Sequence, residues 1–309
     1  MPNISALGLD TSNYTTSAAF FGDGEMDSRG MILPVKEGEI GLRQSDAVFH
    51  HTRQLPEVLS MLGDKISGAK VIGVSERPRD AKDSYMPCFL VGIGAAQMLA
   101  QALGVPLRRF SHQQGHIAAS LWGSGHMELM DEPHLAWHLS GGTTELLRVT
   151  PEGKGSVHAE KIGGTTDISA GQLIDRTGKL LGLLFPSGKH IDALSRSAQD
   201  RQVFRVKVQG TTFSLSGVQN KVEQYHAAGN SPEETAGYAL RCLIGAIVRA
   251  TENALLEYPD SSVVFAGGVA SNTLLRSSCA ALPAVFCPPQ FATDNALGVA
   301  VLTWRALHG

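Results

Sequence analysis

The chain has 309 residues, of which 43% are hydrophobic and 18% are charged, and this composition is typical of a globular protein with ample core. A protein that binds nucleic acid unaided is expected to have a basic field over much of its surface. The net charge of −3 excludes such a field for the chain as a whole. The four cysteines form no CxxC pair, which indicates reduced thiols in a cytoplasmic protein, and we expect neither a signal peptide nor a membrane span.

The first half of the chain predicts strands that alternate with helices. Ser5–Asp10 predicts a buried strand, and after a turn rich in Thr and Ser a second strand begins at Ser17. The later elements predicted in this half are a helix at 51–66, a strand at 70–74, a helix at 91–103, a strand at 105–110 and a helix at 112–122. The polar stretch 75–85 predicts a mobile loop. This alternation predicts an α/β fold.

The second half repeats the scheme from a related strand–turn–strand pattern at Leu135–Val149. We predict helices at 170–181, 189–197, 214–226 and 232–258, a strand at 261–266 and a closing helix at 293–307 that packs on the first domain. The sequence therefore predicts two domains. The first spans residues 1–130 and is completed by 293–309, and the second spans 131–292 with a helical insertion.

Each predicted domain has a turn rich in hydroxyl and glycine residues after its first strand. The first turn contains Asp10 and Ser12, which are candidate catalytic residues, and the second is the Ser-Gly-Gly-Thr segment at 140–143. Such turns present hydroxyls and open N–H groups, so a pair of them can hold a polyphosphate. Either turn alone is a weak indication, because hairpin tips often carry Gly and Ser for backbone reasons.

The sequence FAGGVASN at 265–272 predicts a strand, a glycine turn and a helix that starts at Asn272. Ligands bind at the carboxyl ends of strands in α/β sheets, and Gly267 and Gly268 would let a flat purine lie against the backbone. An ordinary strand-to-helix turn explains the same sequence about equally well.

The sequence HQQGH places His112 and His116 one helical turn apart on one face of a predicted helix. Two imidazoles in this arrangement can bind one divalent cation, although a lone histidine pair is more often incidental. The zincin protease pattern needs Glu where this chain has Gln113, so a metalloprotease is disfavoured. Asp294, just before the closing helix, is a candidate third ligand and equally a candidate helix cap.

The ordered set of motifs resembles the TsaD family, formerly called Gcp or O-sialoglycoprotein endopeptidase. The matching segments are SHQQGHIAAS, HLSGGTTEL, GQLIDRTGKLLGL, FPSGKHID, FSLSGV, FAGGVASNTLLR and FATDNALGVA. The resemblance implies an actin-like, sugar-kinase and Hsp70 ATPase fold, with two duplicated mixed-sheet domains and a nucleotide cleft between them. It also implies transfer of a threonylcarbamoyl group from an acyl-adenylate to the tRNA adenosine beside the anticodon.

The resemblance also implies roles for individual residues. A divalent metal, Fe²⁺ or Zn²⁺ with Mg²⁺ as an alternative, would be held by His112, His116 and Asp294. Asp175 and Asp192 would accept hydrogen bonds from the ribose or neighbouring groups. The other residues implied near the adenine nucleotide are Leu139, Ser140, Gly141, Gly142, Thr143, Gly188, Gly267, Gly268 and Asn272. The implied partners are tRNA, contacted through partner proteins, and TsaB-like or TsaE-like proteins or a second copy of the chain.

The chain departs from the family pattern near the transferred group. The family's first turn reads Thr-Ser-Cys-Asp-Glu-Thr, whereas residues 11–16 read Thr-Ser-Asn-Tyr-Thr-Thr and lack both carboxylates. Thr143 stands where the family has His, and SERPRDAKDSYMPCF replaces a Gly-Pro-Gly-Leu stretch. Two alternatives therefore stay open. One is a regulatory nucleotide-binding paralogue without transfer chemistry, and the other is a sugar-kinase-like phosphotransferase with Asp10 or Asp83 as its base.

Overall fold

The computed structural model describes residues 4–12, 14–22, 25–34, 42–81, 83–153, 155–291 and 296–307. The chain divides into two compact units. Unit 1 comprises Met1–Glu132, Thr150–Ala159 and Thr293–Gly309, and unit 2 comprises Pro133–Val149 and Glu160–Ala292. The predicted fold class is confirmed, because helices surround two separate mixed sheets, one of five strands and one of seven.

Unit 1 begins with an antiparallel hairpin and continues with helices and parallel strands. Its elements are β1 Ser5–Asp10, β2 Thr15–Gly22, β3 Glu25–Ile32, α1 Gln44–Ser60, α2 Lys65–Gly68, β4 Val71–Arg77, α3 Phe89–Leu103, β5 Leu107–Ser111 and α4 His112–Ser124. The sheet order is β3-β2-β1-β4-β5, with β1 antiparallel to β2 and parallel to β4. All six residues of β1 are buried, as expected for a small and apolar central strand.

Unit 2 repeats this start. Its elements are β6 His134–Leu139, β7 Thr144–Gly153, β8 Ser156–Thr165, α5 Ala170–Leu180, α6 Gly188–Ser195, β9 Val208–Gln209, β10 Thr212–Phe213, α7 Ser216–Ala227, α8 Pro232–Glu257, β11 Val263–Ala266, α9 Thr273–Ser278 and β12 Ala284–Phe286. The sheet order is β12-β11-β6-β7-β8-β10-β9, with β6 antiparallel to β7 and parallel to β11. The ends of β7 and β8 between residues 150 and 159 belong to unit 1. The strand β6 thus has the same two kinds of neighbour as β1.

The last helix, α10 Leu297–Arg305, packs against β1, β2, β4 and α4 in unit 1. Glycine is required at this contact. A Cβ atom on Gly298 would lie 1.8 Å from the carbonyl oxygen of Gly115, and one on Gly8 would lie 2.5 Å from the backbone nitrogen of Ala300. This close approach fixes α4, the helix of the HQQGH motif, within unit 1.

The structure moves several predicted boundaries. The helix predicted at 51–66 begins earlier, at Gln44. It also ends earlier, at Ser60, because Gly63 adopts a φ of +55° that interrupts the helix before α2. The stretch predicted as a loop at 75–85 contributes its first residues, through Arg77, to β4. Residues 293–295 of the predicted closing helix lie outside the described residues.

Two further observations concern membrane-spanning helices and the cysteines. In the part of the chain that the structure describes, no helix has the length and apolarity needed to cross a bilayer. The four cysteines are buried thiols. Burial raises the pKa of Cys279 to about 11, so this thiol stays protonated and unreactive at neutral pH.

Candidate functional site

The two histidines of HQQGH lie side by side at the start of α4. Their ring centroids are 4.3 Å apart and their planes meet at 77°. The helix begins at His112 because Ser111 and Gln114 form a capping box: the Ser111 hydroxyl accepts the Gln114 N–H at 3.2 Å, and the Gln114 side chain accepts the Ser111 N–H at 2.7 Å. The local sequence therefore fixes the turn that brings the two imidazoles together.

The buried carboxylate of Asp10 orients His112. One carboxylate oxygen, Oδ2, lies 2.8 Å from His112 Nδ1 and also accepts a hydrogen bond from the Ser75 hydroxyl, while Oδ1 accepts the backbone N–H of Ser12. Burial alone would raise the pKa of Asp10, but the nearby His112 and these hydrogen bonds hold it below its usual value. A carboxylate bound to one ring nitrogen fixes a histidine's orientation, so Nε2 is the atom that a metal would bind.

These observations fit a divalent metal in their donor chemistry. The helix face offers two imidazoles, one of them oriented by a carboxylate, as in many histidine-ligated metal sites. Asp294, the predicted third ligand, lies outside the described residues. The assignment of His112, His116 and Asp294 as ligands therefore stays a prediction.

A chain of hydrogen bonds behind the first turn was missed by sequence reasoning. The amide nitrogen of Gln54 donates to the carbonyl of Ile32 at 3.2 Å, so its Oε1 faces the Thr16 hydroxyl, which donates to it at 2.8 Å. Since this hydrogen bond uses the hydroxyl proton, Nδ1 of His51, 2.8 Å away, must be the protonated nitrogen that donates to Thr16. No local motif joins His51 to Thr16, which precedes it by 35 residues.

In this region, two buried polar atoms, on His51 and on Ser12, have no hydrogen-bond partner among the described residues. His51 is fully buried, and burial lowers its pKa to about 4, although the nearby Asp10 carboxylate opposes the shift. Among the described residues, His51 Nε2 and the Ser12 hydroxyl are buried without a hydrogen-bond partner. Unsatisfied buried polar groups are rare, and each calls for an explanation such as a functional role. Asp10 and Ser12 stay candidate catalytic residues, and the structure adds His51 to this region.

In unit 2, the predicted Ser-Gly-Gly turn lies between β6 and β7. The Ser140 hydroxyl accepts the backbone N–H of Thr143 at 3.0 Å, which closes the turn, and Gly141 and Gly142 are exposed. The start of α5 packs on this turn. A Cβ atom on Gly171 would lie 2.5 Å from the Cα of Gly141. The turn therefore has a fixed shape with exposed glycines at its tip.

The glycine turn after β11 lies at the same end of the sheet as the Ser-Gly-Gly turn after β6. The strands β6 and β11 are parallel neighbours, and Ala266 pairs with His138. Gly267 has a φ of +90°, and a Cβ atom there would lie 2.3 Å from the carbonyl oxygen of Leu139. The structure thus brings together the predicted residues that follow β6 and β11.

Three further predicted residues shape this part of unit 2. The Asp192 carboxylate accepts the backbone N–H and the hydroxyl of Thr273, each at 2.9 Å, and Arg196 binds its other oxygen at 2.6 Å. Asn272 caps α9 through the N–H of Leu275 at 3.0 Å. In a separate contact, the Asp175 carboxylate accepts the Ser187 N–H at 2.8 Å, next to Gly188. Asp175 and Asp192 therefore already have hydrogen-bond partners within the protein.

Solved structures similar to this chain support the fold. Full-length HypF in its phosphate- and nucleotide-bound form matches with a TM-score of 0.64 at 13% identity, over 99% of this chain and 47% of the HypF chain. The activator of 2-hydroxyisocaproyl-CoA dehydratase from Clostridium difficile, with bound ADPNP, matches with a TM-score of 0.52 at 15% identity, over 99% of this chain and 96% of the activator. The chain thus spans about half of HypF, and at these identities the likeness shows the fold alone.

Sequence comparisons show the family. The tRNA N6-adenosine threonylcarbamoyltransferase of Carboxydothermus hydrogenoformans is 34% identical over 98% of this chain and 92% of the relative. The enzyme of that name from Thermosipho africanus is 28% identical over 97% of this chain and 93% of the relative. Residues 84–301 match the sequence model of the TsaD family, described as tRNA N6-adenosine threonylcarbamoyltransferase. This chain therefore belongs to the TsaD family of tRNA N6-adenosine threonylcarbamoyltransferases.

Proposed function

We propose that the chain is a cytoplasmic, metal-dependent transferase that moves a threonylcarbamoyl group from an acyl-adenylate to a tRNA adenosine next to the anticodon. The observation that carries the proposal is the bond between Asp10 and His112, beside His116, because a buried carboxylate holds one imidazole of the pair in a fixed orientation. The family supplies the reaction class, since its relatives bear the name of this activity.

The metal in this proposal is bound in unit 1 by His112, His116 and Asp294. Imidazole ligands favour Fe²⁺ or Zn²⁺ over Mg²⁺. When bound, the metal would polarise a phosphate or carbonyl oxygen of the acyl-adenylate as a Lewis acid. Asp10 would act by holding His112 in position, because three hydrogen bonds occupy its carboxylate and the residue is 1% exposed. The Ser12 hydroxyl is the group of the first turn that would donate to developing negative charge.

The adenine nucleotide in this proposal is bound in unit 2. The exposed N–H groups of Gly141 and Gly142 would face its phosphates, with Leu139, Ser140 and Thr143 shaping the turn. Gly267, Gly268 and Asn272 would border the adenine. Asp192, through its bonds to Thr273, and Asp175, next to Gly188, would shape the ribose side.

The transfer step has simple covalent chemistry. The N6 amine of the tRNA adenosine attacks the carbamoyl carbon, the bond from that carbon to the phosphate oxygen breaks, the amine loses a proton and AMP leaves. Groups that bind and orient the two substrates supply much of the acceleration in such a reaction. The residues of both units would therefore act mainly by orientation and by stabilising charge.

The test is a transfer assay with the purified full chain, its pathway partner proteins, tRNA, ATP, threonine and bicarbonate, with threonylcarbamoyladenosine measured by nucleoside mass spectrometry. We expect product from the wild type and from His126→Ala, a matched histidine change on the surface, and loss of product from His112→Ala. Absence of product from the wild type, while an established TsaD yields it under the same conditions, would contradict the proposal.

A nucleotide-binding regulatory paralogue is the second candidate function. The observation that favours it is the first turn, where residues 13–15 read Asn-Tyr-Thr and lack the carboxylates of the family pattern. Of these, Asn13 lies outside the described residues, and Tyr14 is 36% exposed. This candidate expects nucleotide binding without turnover, so a turnover that His112→Ala abolishes would count against it.

A further inference from the structure

A second group of metal-binding side chains lies in unit 1, outside the site described above. Asp80, Glu152 and His158 each offer one ligand atom, and these atoms all lie within 4.8 Å of one another. Among the described residues, it is the one group of three or more His, Cys, Asp or Glu side chains whose ligand atoms lie this close together. Asp80 follows β4, Glu152 is near the end of β7 and His158 is near the start of β8.

The contacts of Asp80 divide its two oxygens between different partners. Its Oδ1 atom binds the guanidinium of Arg77 at 2.6 Å, and its Oδ2 atom lies 3.6 Å from Nδ1 of His158. Arg77 thus holds the carboxylate without using the oxygen that faces the histidine. Carboxylates that bind metals are commonly held in this way by a neighbouring donor.

The distance between Asp80 and His158 suits two ligands of one ion better than a direct hydrogen bond. At 3.6 Å the two atoms are beyond hydrogen-bond range. Two ligands of a tetrahedral Zn²⁺ with bonds of about 2.1 Å lie roughly 3.4 Å apart. The observed separation is close to that value, and Glu152 lies within reach as a third donor.

We propose that Asp80, Glu152 and His158 form a second divalent-cation site, which takes a transition ion of the Zn²⁺ class and ties the segment after β4 to the β7–β8 hairpin. One imidazole and two carboxylates are a ligand set that Zn²⁺ accepts. Glu152 and His158 are exposed, which leaves a coordination position for water. The carbonyl of Pro78 accepts the N–H of Gln113 at 3.0 Å, so the segment carrying Asp80 is also attached to α4. The bound ion would therefore stiffen a stretch in which this chain departs from the family pattern.

The test is a Zn²⁺ titration by calorimetry on the full chain carrying His112→Ala and His116→Ala, which removes the histidine pair of α4. We expect one bound equivalent. Adding Asp80→Asn or His158→Ala should weaken it at least tenfold. Adding His126→Ala should not, because His126 pairs with Glu128 at 2.8 Å and belongs to no group of three such ligands among the described residues. X-ray absorption of the bound Zn²⁺ should show one imidazole among oxygen ligands.

The proposal is wrong if the His112→Ala/His116→Ala chain binds no Zn²⁺, if Asp80→Asn and His158→Ala leave its affinity unchanged, or if His126→Ala removes the site. Should that double variant fail to fold, the three single changes are made in the wild type. There, Asp80→Asn and His158→Ala should each weaken one of the Zn²⁺ sites at least tenfold, and His126→Ala should weaken none. Unchanged affinities in the first two variants would overturn the proposal. Neither result depends on transfer activity.

Discussion

At the scale of single residues, Asp10 connects segments that are distant in the sequence. Its carboxylate binds Ser75, 65 residues away, and His112, 102 residues away, while it also holds the backbone of Ser12. One buried anion therefore fixes both the first turn of unit 1 and the imidazole that begins α4. We expect metal binding to depend on a side chain that does not itself bind the metal.

Asp10→Asn should weaken the metal site while keeping the size of the side chain. The amide lacks the charge that orients His112, and removal of such partners commonly costs 10- to 100-fold in metal affinity. The measurement is a Zn²⁺ titration, scored on the equivalent that His112→Ala abolishes. Ser75→Ala is the control, because it removes one hydrogen bond to the same carboxylate but leaves the bond to His112. Equal affinities for Asp10→Asn and the wild type would show that Asp10 does not support the site.

Acidification should destabilise the protein through His51. Burial lowers the pKa of His51 from 6.5 to about 4, so between these values the unfolded chain binds a proton that the folded chain does not. The stability that comes from keeping His51 neutral is complete above pH 6.5 and is lost as the pH falls towards 4, by at most about 3 kcal/mol. Urea unfolding of the wild type and of His51→Gln at pH 7, 5.5 and 4 tests this. The variant should be less stable at pH 7 and should show a smaller loss towards pH 4. Parallel curves would rule out this role for His51.

At the scale of elements, the sequence predicted the helices and strands whose start or spacing depends on residues close together in the chain. The start of α4 and the pairing of His112 with His116 follow from a capping box and from i, i+4 spacing. The edge strand β3 was missed, because half of the residues in its sequence EMDSRGMI are polar, in keeping with its largely exposed position. Its pairing with β2 along the whole strand identifies it. The bonds of Asp10 to His112 and of Thr16 to His51 were likewise unpredictable, since they depend on how separate elements pack.

Gly267→Ala should disrupt the turn that joins β11 to α9. The residue has a φ of +90°, which residues with a side chain rarely adopt, and a Cβ atom would lie 2.3 Å from the Leu139 carbonyl oxygen. We expect a loss of about 2 kcal/mol or more in unfolding free energy, together with weaker adenine-nucleotide binding. Gly268→Ala is the matched control for the unfolding measurement, because no atom lies within 4 Å of its added Cβ. Urea unfolding and nucleotide titration measure the two effects. Equal unfolding free energies of the two variants would contradict this reading of the turn.

At the scale of the whole molecule, positive and negative charges nearly balance, with 26 Lys and Arg against 29 Asp and Glu. Several arginines are also neutralised locally. Arg77 binds Asp80 at 2.6 Å, and Arg109 binds Glu76 at 3.4 Å. Such exposed pairs contribute little to stability. They do reduce the positive charge available to a phosphate backbone, so we expect the tRNA contact to need a partner protein.

The full chain alone should therefore bind tRNA weakly and with a shallow dependence on salt. Each phosphate contact adds about 0.7–0.9 to the slope of log affinity against log salt. A chain that makes few such contacts should give a slope below about 3. Fluorescence anisotropy with labelled tRNA at increasing KCl measures this slope, first for the chain alone and then with the TsaB-like and TsaE-like proteins of the same organism. We expect the partners to raise both the affinity and the slope, because they would supply the missing positive surface. A slope near 6 for the chain alone would require about seven or more phosphate contacts. That result would place the tRNA site on this chain despite its net negative charge.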